Sequence, residues 1–221
     1  MSKPVATRIY IGASKAVLTT LALLVASTTS LAQQPAQVDL ARSRAYVRVG
    51  KTGLGHEHGA EGRLKAGALM LGAQANAGEL VFDLPTFVAD QAASRAYVGL
   101  AGETDASTAS QVTANMLGGE VLNVGKFPTA TFRVRSSLPA AKRQASEPQS
   151  FELDGDFTLH GVTKPLRVTA VAEEANGAIH LRGQFAVRQT QFGITPYSRA
   201  FGAVGVADEL KIFGDLWLAP R

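Results

Sequence analysis

FELDGDFTLHGVTKPLRV, residues 151–168, reads as two strands and the turn between them. Phe151, Leu153, Phe157 and Leu159 fall on one side of an extended chain, and Glu152, Asp154, Asp156 and Thr158 on the other, as a half-buried strand requires. Gly161 and Pro165 bracket a short turn, after which Leu166, Val168 and Ala170 resume the alternation. The stretch is therefore an antiparallel hairpin with one apolar face.

The same pattern recurs outward from it. Ala45, Val47 and Val49 alternate with Tyr46 and Arg48 and lead into the glycine-punctuated KTGLGHEHGAEG at 51–62. Leu64, Ala66 and Ala68 continue as a further strand. Residues 79–84 place Leu80, Phe82 and Leu84 on one face, with Pro85 as the stop. Ala130, Phe132 and Val134 form another strand, Leu181, Gly183, Phe185 and Val187 another, and 209–218 the last. Asn176-Gly177 is a hairpin-turn dipeptide joining the strand from Leu166 to that at Leu181. Residues 88–106 lack a clear period and read as a long loop or lid. STASQVTANMLGG at 107–119 reads as a helix capped by Ser107 or Thr108 and ended by Gly118, with a short turn over 120–123. Residues 139–150 are an exposed connection. Seven or eight strands without alternating strand–helix units make an antiparallel all-β fold, either a two-sheet sandwich or a closed barrel.

The N-terminus has a different character. Lys3, Arg8 and Lys15 precede or flank an apolar run over 16–26, and Ser30-Leu31-Ala32 offers small residues at a cleavage site, so 1–32 reads as a signal peptide cut near Ala32. The run is too short to span a bilayer, which takes about 20 apolar residues. Without those three basic residues the formal charge falls from +4 to +1, and 189 of the 221 residues remain. A nearly neutral chain has no electrostatic footprint for nucleic acid. The absence of Cys excludes disulfides, thiolate metal sites and cysteine nucleophiles, and the mature chain is expected to be periplasmic or secreted. Residues 33–37 read as a disordered lead, and 38–219 as one domain.

Four segments carry a resemblance: NVGKFPTATF at 123–132, LDGDFTLHGVTKPLRV at 153–168, GQFAVRQTQFGITPYS at 183–198 and VADELKIFGDL at 206–216. In order and spacing they resemble the YceI-like family, secreted lipocalin-like barrels that bind polyisoprenoid or other long apolar lipids. The resemblance implies an eight-stranded antiparallel barrel around an apolar tunnel, a short helical insertion near one end, no catalytic apparatus and no required cofactor beyond a bound isoprenoid or quinone-like lipid. The chain departs from the commoner family pattern twice. TANMLGGEVLN at 113–123 stands where many members carry a charged Arg-Asp and His-Leu-Arg run, and GHEH stands where they have one His.

Strand parity points Phe82, Phe132, Phe157, Leu159, Phe185 and Val187 inward, with Met116, Leu117 and Phe127 shaping the helical end. Alternation alone allows them to line a cavity or to fill the barrel; the resemblance implies the cavity. Phe192, Tyr197 and Phe201 add aromatics near one mouth, as a gate or a plug, and Arg188 and Arg199 are candidates to meet a polar head group. His56 and His58, if on a strand, project from one face and form a pair of metal ligands, with His160, His180, Asp83 or Asp90 as further donors. A metal-binding barrel is thus the alternative reading, and a filled structural barrel a third. No Gly-x-Ser-x-Gly elbow, zincin helix or phosphate loop supports catalysis. The expected partners are an apolar lipid, a transiently touched membrane and a second copy of the chain.

Overall fold

The computed structural model describes residues 34–219 apart from 142, 143 and 145, so the expected leader lies outside the described residues. Eight long strands form the barrel: β2 (Arg44–Gly53), β3 (His58–Leu69), β4 (Gly78–Ala89), β5 (Thr129–Pro139), β6 (Gln149–Leu159), β7 (Val162–Ala175), β8 (Ala178–Arg188) and β10 (Val204–Leu218). Every neighbouring pair is antiparallel, in the order β3-β2-β10-β8-β7-β6-β5-β4, and β4 returns to β3 to close the ring. Two short strands are added at the edges: β1 (Ala36–Gln37) pairs with β3, and β9 (Ser198–Arg199) with β10. Between β4 and β5 lie α1 (Ala92–Tyr97) and α2 (Ala106–Leu117).

The opening hairpin is β6 and β7. Its turn is tighter than the sequence suggests: Leu159 pairs with Val162, leaving His160 and Gly161 as a two-residue loop with φ of 51° and 78°. Positive φ at both positions is the turn whose twist matches the flanking strands. Pro165 lies inside β7 rather than bounding the turn. It faces Asp156 two steps along from the bonded pair Phe157–Lys164's neighbour Thr158–Thr163, in a register position that asks no N–H of it, and β8 pairs β7 only from Ala170 onward. Asn176 and Gly177, with φ of 52° and 77°, make the second such turn, as the dipeptide predicts.

Pro85 likewise does not end its strand. β4 continues to Ala89 because Pro85 falls in an irregular stretch of the β3–β4 ladder, between the pairs Arg63–Asp83 and Glu61–Val88. Thr86 replaces the lost backbone partner there, accepting from Arg63 N–H at 2.9 Å and donating to Asp83 C=O at 2.6 Å. The stretch 88–106, read as a loop, contains α1. The cap of α2 is Asp105, whose carboxylate accepts from Thr108 N–H at 3.0 Å, in place of Ser107 or Thr108. The last strand begins at Val204, earlier than expected, across a bulge between Val206 and Leu210.

Ala36 and Gln37, read as part of a disordered lead, are a strand, because their apolar neighbours have a barrel end to close. Val38 bridges to Leu218, and Ala36, Val38, Leu69, Leu71 and Leu218 are all buried in the hydrophobic core. The opposite end, where β2 and β8 finish and β3 and β10 start, is overlain by α2, which packs on β4.

The two hairpin turns separate conformational from steric cost. A Cβ on Gly177 would meet nothing within 4 Å, whereas one on Gly161 would lie 2.8 Å from the Phe127 ring. Gly177→Ala is therefore expected to lower the unfolding free energy by about 1 kcal/mol, and Gly161→Ala by about 2–3 kcal/mol. Equal losses in chemical denaturation would show that Phe127 does not brace the turn.

Candidate functional site

Inward parity does not fill the barrel, because several inward positions carry almost no side chain. Ala45, Gly214, Gly183 and Ala170 face one another in a row across β2, β10, β8 and β7. On the other side, Phe82, Phe132 and Phe157 project from β4, β5 and β6. The space between includes a cavity of about 180 Å³ beneath α2, lined by apolar groups such as Val47, Phe87, Met116, Leu210 and Ile212. A smaller one of about 40 Å³ lies among Leu80, Phe132, Leu153, Leu181 and Leu216.

Of the residues the sequence nominates, Phe82, Met116, Phe157, Leu159 and Phe185 line the larger cavity. Phe132 lines the smaller one, and Phe82 and Phe185 line both. Val187, Phe192, Leu117 and Phe127 line neither. Val187 and Phe192 are buried in the wall, Phe192 edge-on to Phe157 at 5.7 Å, and Leu117 packs against the core from α2. Phe127 sits over His160, ring centroids 4.3 Å apart, outside the barrel. The interior space thus comprises two cavities with Phe82 and Phe185 common to both linings.

Four polar side chains reach the larger cavity: His58, Asn115, Gln189 and Tyr197. Asn115 Nδ2 donates to Tyr197 Oη at 3.2 Å, a bond that ties α2 to the far rim. Arg199, a head-group candidate in sequence, donates to the same hydroxyl at 3.0 Å and lies over the Tyr197 ring. Phe201, grouped with the mouth aromatics, faces outward and is fully exposed. Val47 and Ile212, not nominated from sequence as lining residues, share the larger cavity with Phe82 once the sheet closes.

His56 and His58 do not form the expected pair. His56 precedes β3 on an exposed irregular segment, so the strand geometry that would align two imidazoles is lacking. His58 is engaged elsewhere: its Nδ1 lies 2.6 Å from Asp90 Oδ2. Asp90 Oδ1 accepts from Gly59 N–H at 3.0 Å and from Arg95 Nη1 at 3.0 Å, and its side chain is 0% exposed. Ser94 Oγ donates to Gly59 C=O at 3.0 Å, and Arg95 donates further to the carbonyls of Glu57, Ala101 and Gly102. A Cβ on Gly59 would stand 3.1 Å from the Arg95 backbone, so the glycine permits α1 to dock directly on β3. The motif that sequence presents as metal ligands is a clasp between barrel and helix, with one imidazole left on the cavity wall. Among the described residues no group of three or more His, Asp or Glu could hold a metal ion.

Burial alone would push the Asp90 carboxyl up, but the hydrogen bonds from His58, Gly59 and Arg95 outweigh it and hold the pKa below the ordinary value. The stabilisation this carboxylate provides is thus present above the unfolded-state value and lost as pH falls through the lower folded-state value. Below about pH 4 wild type should lose stability more steeply than Asp90→Asn in acid thermal melts. At neutral pH, Arg95→Ala should cost about 3 kcal/mol by leaving a buried charge short of its partner. Parallel acid limbs for the two proteins would show that Asp90 contributes no such linkage.

A closed antiparallel barrel of eight strands with an apolar cavity at one end defines the chain as a lipocalin-like barrel. The family model of the YceI-like domain matches residues 37–216, and the chain belongs to the YceI-like family. Among solved structures, a polyisoprenoid binding domain from Saccharophagus degradans implicated in plant cell wall breakdown aligns with a TM-score of 0.56 at 13% identity, over 85% of this chain and 99% of that one. BcnA of Burkholderia cenocepacia aligns with a TM-score of 0.52 at 15% identity, over 82% and 99%. At these identities the likeness is one of fold. No curated protein matches the chain.

Proposed function

We propose that this protein is an exported carrier that holds a long apolar lipid, isoprenoid or quinone-like, with its polar end beneath α2. The observation that carries the reading is the cavity of about 180 Å³ with four polar side chains among its lining. An apolar chain needs no directional partners there, and each methylene it buries contributes about 0.8 kcal/mol. His58, Asn115, Gln189 and Tyr197 give that part of the lining the polar character that suits an oxygen-bearing head. The polyisoprenoid binding domain among the structural neighbours supports the same ligand class. Both departures from the commoner family pattern fall on this site: TANMLGGEVLN supplies Asn115, Met116, Val121 and Leu122, and GHEH supplies His58.

Binding, rather than catalysis, is what the site is equipped for, and export follows from the leader-like residues 1–32. Transient membrane contact has a physical basis at the end that carries α2. Leu54 and Phe201 are 81% and 113% exposed on adjacent loops, joined where Leu54 N–H donates to Ala203 C=O at 2.9 Å. Ala200 and Phe201 both hold positive φ, 52° and 55°, a strained arrangement that presents the ring to the exterior.

Organic extraction of the purified mature protein followed by mass spectrometry is expected to release a prenyl or quinone-type lipid. An empty extract, together with no uptake of added prenols or ubiquinone analogues, would overturn the carrier reading. Replacing Leu54 and Phe201 by Asp should slow transfer of a fluorescent prenol from vesicles by about tenfold, since each apolar side chain forgoes about 1.5–3 kcal/mol of burial. Affinity for the same prenol in solution should not change. An unchanged transfer rate removes the membrane contact.

A further inference from the structure

We infer that the smaller cavity is a subsite for the far end of the ligand chain, that Phe82 and Phe185 are the partition through which the chain enters it, and that the absence of a side chain at Gly214 sets how long a chain the barrel accepts. This rests on the apolar-lipid reading and extends it to chain-length selection.

The two cavities share two lining residues, Phe82 on β4 and Phe185 on β8. Side chains common to adjacent cavities stand between them. Both rings are only half-buried and pack against the core while lining both cavities. The rings around them are held differently. Phe157 meets Phe185 edge-on at 5.5 Å and Phe192 at 5.7 Å, and Phe192 is buried in the wall, so this pair forms a fixed edge against which Phe185 can turn.

The space beyond the partition arises from sequence. Gly183 and Gly214 are directly paired across β8 and β10, both at inward positions of their strands. A glycine in a strand forgoes packing and adds backbone freedom to the unfolded chain, so two facing each other are a stability cost without a turn to justify them. Neither has the positive φ that only glycine adopts easily. Gly214 is not dictated by crowding either, since a Cβ there would stand 3.9 Å from its nearest neighbour. A Cβ on Gly183 would stand 3.1 Å from both Val168 Cγ1 and Thr169 C=O, so the free volume of the pair lies at Gly214. Beside it, Ala170 and Ala45 extend a lane of minimal side chains across four strands, and this lane borders both cavities. A prenyl chain entering under α2 would lie along the lane and meet the two rings.

The test uses three proteins and the prenols geraniol, farnesol and geranylgeraniol, with affinities measured by native mass spectrometry and calorimetry. Gly214→Val places a β-branched side chain in the deep cavity at a position with room for it. It should leave geraniol affinity unchanged and weaken geranylgeraniol about tenfold or more, since several methylenes lose their site at about fourfold each. Phe185→Ala removes half of the partition and should strengthen geranylgeraniol relative to farnesol by a similar factor. Gly214→Val should also raise the melting temperature, which shows that the variant is folded and the void filled. Unaltered geranylgeraniol affinity in both variants, with wild type still binding the series, would overturn the subsite and leave the carrier reading standing. Failure of wild type to bind any prenol would overturn the carrier reading, and the subsite with it.

Discussion

The β3–β4 ladder, running from Ala60 opposite Ala89 to Leu69 opposite Gly78, joins the two ends of what would otherwise be an open sheet. Closure removes the unpaired edges that an antiparallel sheet otherwise exposes. It also turns one face of every barrel strand toward a common axis, so that residues from strands distant in sequence become opposite walls. The ladder is irregular in two places, and one of them accommodates Pro85.

From closure follows the division of labour inside the barrel. One end carries the segment around Ala36 and Val38, the rim of the other is covered by α2, and the middle is left partly empty by residues too small to meet across the axis. The polar groups are gathered at the covered end, where Asn115 and Tyr197 connect the helix to the opposite rim. The His58–Asp90–Arg95 clasp couples that end to the outside, since the same imidazole that touches the cavity is held by a carboxylate anchored to an exterior helix. Docking of α1 and the shape of the cavity wall are therefore not independent.

Much of this was legible in the sequence, for identifiable reasons. Turns are local, so Asn176-Gly177 and the 151–168 hairpin could be read from a few residues, and strand parity placed Phe82, Phe157 and Phe185 on the inner face. Closure, in contrast, is a long-range pairing that alternation leaves open between sandwich and barrel; only the family resemblance chose. Pro85 reads as a stop because the Thr86 side-chain bonds that excuse it depend on a neighbouring strand. His58 reads as half of a metal pair because its true partner, Asp90, is 32 residues away and buried by a helix that the small, polar composition of 88–106 conceals. Val187, Phe192, Leu117 and Phe127 have the chemistry of lining residues, but position, which composition cannot supply, puts them in the wall, on the core or outside.

The interior is unequal from side to side. Three aromatic rings from β4, β5 and β6 form one wall, and the row of Ala45, Gly214, Gly183 and Ala170 forms the other. Each glycine codon is a single base change from alanine and from valine, and each alanine codon from valine. The bore can thus be narrowed at Gly214, where there is room for a side chain, by a point mutation that leaves the aromatic wall and the helix-bearing rim in place. A lineage could retune which cargo fits without rebuilding the barrel that carries it.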